Sequence, residues 1–162
     1  MSEVDALAAQ VGARLKAAGA MLVTAESCTG GGVAQAITSV PGSSDWFERG
    51  FVAYSNDSKR ELLGVRPETL LRHGAVSQET AREMALGALE RGKGTIALAV
   101  TGVAGPSGGT AAKPVGTVCL AWAADGRSVR SETRHFSGDR EAVRRQAVVR
   151  ALEGAIEGLD AA

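Results

Sequence analysis

Two stretches of the chain place hydroxyls and glycines directly after an apolar run, and each has the makings of a ligand site. The first is Thr24-Ala25-Glu26-Ser27-Cys28-Thr29-Gly30-Gly31. Backbone N–H groups are unpaired where a helix starts, the helix dipole favours negative charge there, and glycine lets a ligand approach the main chain. Ser27 and Thr29 add hydroxyl donors. The same residues also make an ordinary strand-to-helix turn, and residue type alone leaves both readings open. Cys28 has the chemistry of a nucleophile, although small buried thiols are more often inert. The second stretch, Thr101 to Gly109, can wrap a ligand or present backbone oxyanion donors, and it can equally be a mobile surface loop. A third run, Gly87 to Gly94, approximates a P-loop. Gly94 stands where Ser or Thr must ligate magnesium, and the run precedes a strand instead of following one, so it is excluded.

Hydrolysis at a carbonyl needs a nucleophile and a base. His73 and His135 are the only histidines, one before a helix-ending glycine and one inside a strand pattern, and both read as structural. A desolvated lysine is the alternative base, and Lys59 in Ser58-Lys59-Arg60 is one candidate. Standing alone, Lys59 reads as a solvated helix residue, Ser44 in Gly42-Ser43-Ser44-Asp45 as a helix cap, and Tyr54, the single tyrosine, as a half-buried strand residue.

The elements that must position these groups are legible in outline. Val4, Leu7, Val11 and Leu15 recur at helical spacing between a Ser2 cap and Gly19. Ala20 to Thr24 and Thr95 to Val100 read as strands buried on both faces, each emptying into a glycine run. A further strand is expected at Phe51 to Tyr54. Helices are expected over Asn56 to Leu63, over Pro67 to Leu71, and from a Ser77 cap through Leu89. Val115 to Ala123 and Ser128 to Phe136 flank Asp125-Gly126, a strong hairpin signal. The last helix begins near Asp139. Strands alternating with helices predict a layered α/β fold, its sheet mixed because of the hairpin, in a single domain spanning residues 1–162.

Composition narrows the function. The chain of 162 residues is 44% hydrophobic and 22% charged, the range of a globular domain with one core. No apolar run reaches the roughly 20 residues of a membrane span, and no basic, apolar leader opens the sequence. A cytoplasmic protein is the expectation. Eighteen basic residues balance eighteen acidic ones, which removes the usual electrostatic support for nucleic-acid binding. Cys28 and Cys119 are expected to be reduced, and the absence of H-x-x-H and C-x-x-C spacings leaves a zinc site without support.

Several segments taken together resemble one family. Thr24-Ala25-Glu26-Ser27-Cys28-Thr29-Gly30-Gly31, Gly42-Ser43-Ser44, Tyr54-Ser55-Asn56, Lys59, Gly64-Val65 and His73-Gly74-Ala75-Val76-Ser77 are followed by Gly102-Val103-Ala104-Gly105-Pro106, Lys113-Pro114-Val115-Gly116-Thr117-Val118 and Gly138-Asp139-Arg140. In this order they resemble the C-terminal domain of the competence/damage-inducible CinA proteins, which also occurs alone as nicotinamide-nucleotide amidase.

The resemblance implies a three-layer α/β/α sandwich with a mixed, mostly parallel sheet. It implies deamidation of nicotinamide mononucleotide to nicotinic acid mononucleotide and ammonia, a step of pyridine nucleotide recycling, without cofactor or metal. By position, Ser44 resembles the nucleophile, Lys59 its base, Tyr54 an orienting hydroxyl and Thr101 a further active-site hydroxyl. Glu26, Ser27, Thr29, Gly30 and Gly31, with Gly102, Gly105 and Arg140, are similar to substrate-holding positions, Arg140 being the phosphate partner although Arg144 and Arg145 follow closely. A homodimer working on a small nucleotide, with no nucleic-acid or membrane partner, is expected. Two alternatives stay open: a nucleotide-binding or interaction module without catalysis, and an amidase or esterase for another small substrate.

Overall fold

The computed structural model describes residues 2–162. Helix α1 (Glu3–Ala18) opens with Ser2 as N-cap, its hydroxyl accepting from the Asp5 amide, and ends at Gly19 with φ 64°. Strand β1 (Leu22–Glu26) leads through the glycine turn into α2 (Gly32–Thr38). A 3-10 turn, Ser43–Asp45, precedes β2 (Phe47–Val52). Helices α3 (Asn56–Leu63), α4 (Pro67–His73) and α5 (Gln78–Arg91) follow, with Ser77 capping α5 through the Thr80 amide. Strand β3 (Ile96–Gly102), the hairpin β4 (Thr117–Ala124) and β5 (Arg130–His135), and α6 (Arg140–Asp160) complete the chain.

The five strands form one sheet in the order β2-β1-β3-β4-β5. β1 pairs in parallel with β2 and β3, while β4 runs antiparallel to both β3 and β5. Four strands therefore point one way and β4 alone is reversed. The mixed α/β architecture matches the expectation, and the reversed strand β4 is the first strand of the hairpin that turns at Asp125-Gly126. The strands differ from expectation in phase. β1 runs two residues further than read, so Glu26 belongs to it, and β2 starts at Phe47, leaving Tyr54 beyond its end. Phe51 and Val52 drew the expected strand toward the last part of β2. The Gly50 within it and the exposed Glu48 and Arg49 hid the first part, as suits an edge strand.

Alternation along the strands sorts the core into two layers. Leu22, Leu98, Val100, Leu120 and Trp122 face α1, α2 and α6, where they meet Val11, Leu15, Ile37, Val143 and Leu152. The other face presents Val23, Ala25, Ala97, Ala99, Ala121 and Ala123 to Ala81, Met84, Ala85 and Ala88 of α5. Small residues on both partners bring α5 close to the sheet. It also meets the end of α3, where a Cβ on Gly87 would lie 1.8 Å from the Leu63 carbonyl oxygen.

Candidate active site

The parallel strands β1, β2 and β3 all end on one edge of the sheet, the edge at which doubly wound folds build their sites. Ser27 directly follows β1, and its amide donates to Val100 O at 2.9 Å. Tyr54 follows β2, and Thr101 is the last residue but one of β3. Ser55 then caps α3, accepting from the Ser58 amide at 3.0 Å, so the helix runs back past the edge and turns Lys59 toward it.

Lys59 is only 1% exposed. Its Nζ lies 3.0 Å from Ser27 Oγ, 3.2 Å from Ala53 O and 2.9 Å from Tyr54 O. The two carbonyls only accept, so the nitrogen must give each of them an N–H. One tetrahedral direction is left, and it points at Ser27. An ammonium donates along it, and a neutral amine offers its lone pair. Burial lowers the Lys59 pKa by penalising the charged form, which favours the state with the lone pair on the serine hydroxyl. In the ammonium state the Ser27 proton has Tyr54 O, 3.4 Å away, as its alternative acceptor. Burial also pushes the Cys28 thiol up to about 11, so Cys28 is a thiol, not a thiolate, near neutral pH.

The glycine turn is filled from within. Glu26, itself 1% exposed, accepts from Thr29 Oγ1 at 2.6 Å, from the Val33 amide at 2.8 Å and from the Ala34 amide at 3.0 Å. The first free amides of α2 are therefore satisfied by the chain's own carboxylate, and the expected anion site at that helix start is occupied. Glu26 and Thr29 hold the turn together, and neither lines the cleft. Gly30 and Gly31, at φ 60° and 101°, let the chain reverse into α2. Arg144 holds the turn from outside, donating from Nε to Cys28 O at 3.0 Å and from Nη2 to Thr29 O at 3.3 Å.

A half-open cleft of about 190 Å³ sits over Ser27, lined by Cys28, Tyr54, Lys59, Ala75, Val76, Thr101, Gly102, Ala104 and Arg140. Thr101 is buried, and its hydroxyl donates to Ala75 O at 2.9 Å, fixing one wall. Arg140 spans the mouth, donating from Nη1 to Gly105 O at 2.8 Å and from Nη2 to Tyr54 Oη at 3.3 Å. Tyr54 is an exposed rim residue whose hydroxyl faces Arg140. Arg140 and Arg144, one turn apart on α6, thus divide between cleft mouth and turn, while Arg145 lines a different surface hollow. His73 and His135 line a separate cleft beyond Val76.

The structure corrects one expected pairing. Ser44 is exposed on the 3-10 turn that leads into β2, whereas Lys59 follows the opposite end of that strand. The six residues of β2, roughly 20 Å of extended chain, lie between them, so within the chain Ser44 does not reach Lys59. Ser27 takes its place beside the amine. Ser27 and Tyr54 follow β1 and β2 and Thr101 lies near the end of β3, whereas Ser44 precedes β2.

Comparison with known proteins agrees with this architecture. The family model described as "CinA C-terminal domain" matches residues 4–159. The nicotinamide-nucleotide amidohydrolase PncC of Pseudomonas putida is 56% identical over 158 residues, covering 97% of this chain and 98% of its own. The protein of the same name from Escherichia coli strain K12 is 55% identical over 153 residues, covering 94% and 92%. The crystal structure of the competence/damage inducible protein CihA from Agrobacterium tumefaciens superposes with a TM-score of 0.94 at 45% identity, covering 99% of this chain and 97% of that one. With Ser27 and Lys59 on the strand-end edge of a sheet matched along almost its whole length, the chain belongs to the CinA C-terminal domain family.

Proposed function

We propose that the protein is an amidohydrolase that releases ammonia from the carboxamide of nicotinamide mononucleotide, with Ser27 as nucleophile and Lys59 as general base. The single observation that carries this reading is the buried lysine whose one free direction points at a serine hydroxyl 3.0 Å away. The relatives named as nicotinamide-nucleotide amidohydrolases supply the substrate class.

The chemistry follows from those groups. Neutral Lys59 takes the Ser27 proton as Oγ bonds to the carboxamide carbon, and the carbonyl π electrons move onto oxygen. The protonated lysine then delivers that proton to the departing nitrogen, the C–N bond breaks, and ammonia leaves an acyl-serine ester. Lys59, neutral again, takes a proton from water as its oxygen attacks the ester carbon, and returns it to Ser27 Oγ as the acid is released. The cleft volume, about 190 Å³, is below the ~300–1,000 Å³ of sites that enclose a whole drug-sized ligand. It suits the pyridine carboxamide, and the ribose phosphate then lies at the mouth, where Arg140 offers a guanidinium to the phosphate. Binding energy from that phosphate positions the ring and appears in the rate.

The test is ammonia release from nicotinamide mononucleotide by the purified wild type, Ser27→Ala and Ser44→Ala. Ser27→Ala is expected to lose at least about a thousandfold in kcat, and Ser44→Ala to stay within about threefold of wild type. Full activity in Ser27→Ala removes the dyad. Binding of the nucleotide without turnover in wild type favours a non-catalytic module. Equal rates on the nucleotide, its riboside and free nicotinamide remove the phosphate subsite.

A further inference from the structure

Two segments singled out in the sequence, His73-Gly74-Ala75-Val76-Ser77 and Lys113-Pro114-Val115-Gly116-Thr117-Val118, give the active cleft only Ala75 and Val76. They meet instead at the second cleft. Its floor comes from the antiparallel half of the sheet, where Thr117 and Cys119 of β4 stand opposite His135 and Thr133 of β5. Directly opposite residues share a face, so these four side chains form one patch on the side of the sheet that carries α5. Arg72 and His73 at the end of α4, Glu79 in α5 and Lys113 from the loop before β4 complete the charged lining. The cleft measures about 590 Å³, against about 190 Å³ for the active cleft. It falls within the ~300–1,000 Å³ of sites that take a small organic molecule.

The lining is cationic. Arg72 and Lys113 bring two positive charges and Glu79 the only negative one, and that carboxylate faces His73 Nδ1 at 3.5 Å, pairing with neither cation. Burial raises the Cys119 pKa, so the floor carries a neutral thiol. Among the described residues, no group of three or more His, Cys, Asp or Glu is placed to hold a metal ion. Lys113 is held in place, its Nζ donating to His73 O, and two of its three N–H groups remain for a ligand. The floor hydroxyls are already engaged: Thr117 Oγ1 donates to Pro114 O at 2.7 Å, and Thr133 Oγ1 accepts from Gln78 Nε2 at 3.0 Å. Recognition of a charged ligand therefore falls to the two free cations.

We infer that this cleft is a second ligand site, for an organic phosphate ester of about mononucleotide size. Arg72 and Lys113 receive the phosphate, whose oxygens suit a guanidinium fork and an ammonium. Val76, Ala112 and the uncharged floor take the organic part. Val76 lines both clefts, but Arg140 lines only the active one, so the two sites use different cations. The inference does not depend on which serine is the nucleophile.

His73 and His135 are the only histidines of the chain and both line this cleft, so their imidazole proton resonances report on it by NMR. The protein is titrated at constant ionic strength with adenosine 5′-monophosphate, cytidine 5′-monophosphate, adenosine and inorganic phosphate. At least one nucleotide is expected to shift both histidines with a Kd below about 5 mM, about tenfold tighter than adenosine or inorganic phosphate. Arg72→Met and Lys113→Met are each expected to weaken that nucleotide about tenfold, and Arg140→Ala to leave it within about threefold. Arg72 is exposed, so Arg72→Met decides the matter if Lys113→Met, which also frees His73 O, does not fold. The inference is overturned if neither nucleotide reaches that affinity, or if adenosine or inorganic phosphate binds within about threefold of the nucleotide. It is equally overturned if a folded Arg72 or Lys113 variant binds within about threefold of wild type. Weakening by Arg140→Ala as large as that by Arg72→Met puts the phosphate at the active cleft and also overturns it. None of these outcomes touches the assignment of Ser27 and Lys59, which ammonia release tests separately.

Discussion

Replacing Lys59 with Met keeps most of the side chain's length and removes its charge, and the structure says what that does to stability. Two terms oppose each other near neutral pH. Taking an ammonium out of water costs several kcal/mol even after relaxation, and Lys59→Met relieves that cost. Leaving the Ala53 and Tyr54 carbonyls without their N–H donors costs about 1–3 kcal/mol each. The terms are of similar size, so the net change lies within about 2 kcal/mol of zero. The pH dependence escapes this cancellation, because the carbonyls do not titrate. Burial lowers the Lys59 pKa in the folded state. Between that depressed value and about 10.4 in the unfolded chain, the unfolded state carries a proton that the folded state lacks. The stability of wild type relative to Lys59→Met therefore rises with pH, by up to about 1.4 kcal/mol per unit. The gain is complete above the unfolded value and lost as pH falls through the folded one. Urea unfolding of both proteins at half-unit steps from pH 6 to 9.5 measures the difference directly. The acid limb of kcat/KM in wild type must follow the same proton, since a protonated Lys59 has no lone pair for Ser27. A stability difference that stays flat or falls with rising pH refutes the buried-amine account. A rate limb that titrates where the stability difference is flat separates the charge from the catalysis.

Two further substitutions probe the frame around the site. Glu26→Gln exchanges one acceptor oxygen for an NH2 that faces the donors on Thr29, Val33 and Ala34. It is expected to cost about 2–4 kcal/mol, read by urea unfolding, and to lower kcat more than it raises KM; an unchanged kcat in the folded variant would show that the turn tolerates loss of its inner clamp. Gly87→Ala gains about 1 kcal/mol of helix propensity but places a Cβ 1.8 Å from Leu63 O, so α3 and α5 must separate, with an expected net loss of about 2–4 kcal/mol. A variant as stable as wild type would show that the helix pair yields without cost.

Most of the fold was legible because its boundaries are set locally. Ser2, Ser55, Ser77 and Asp139 each accept an amide from three residues on, and Gly19 and Gly64 close their helices at positive φ; such signals need nothing beyond a few neighbouring residues. The strands β1, β3 and β4 are near-continuous apolar runs, as buried central strands must be. β2 was harder to place because it is an edge strand with solvent on much of its length, and its first four residues include Glu48, Arg49 and Gly50. Misplacing its start had a consequence for chemistry: a strand read as Phe51 to Tyr54 leaves Ser44 at an undefined distance from Lys59, and only the observed span puts it firmly at the opposite edge.

The choice between the two serines shows which kind of information was missing. Ser44 and Lys59 are 15 residues apart and Ser27 and Lys59 are 32 apart, so sequence distance favours the pair that the structure does not bring together. Strand direction reverses that order. A parallel β1 and β2 place the residue after each strand on one edge, which brings Ser27 beside Ala53 and Tyr54, and Lys59 folds back onto both carbonyls through α3. The same reasoning separates the two arginines of α6. Arg140 and Arg144 look interchangeable as phosphate partners by type and spacing, yet Glu26 takes the Val33 and Ala34 amides at the start of α2 and Arg144 is held by the Cys28 and Thr29 carbonyls of the glycine turn. With the helix start filled by an acidic side chain and Arg144 tied to the turn, Arg140 is the arginine that lines the cleft, which is why the proposed function assigns the phosphate to it.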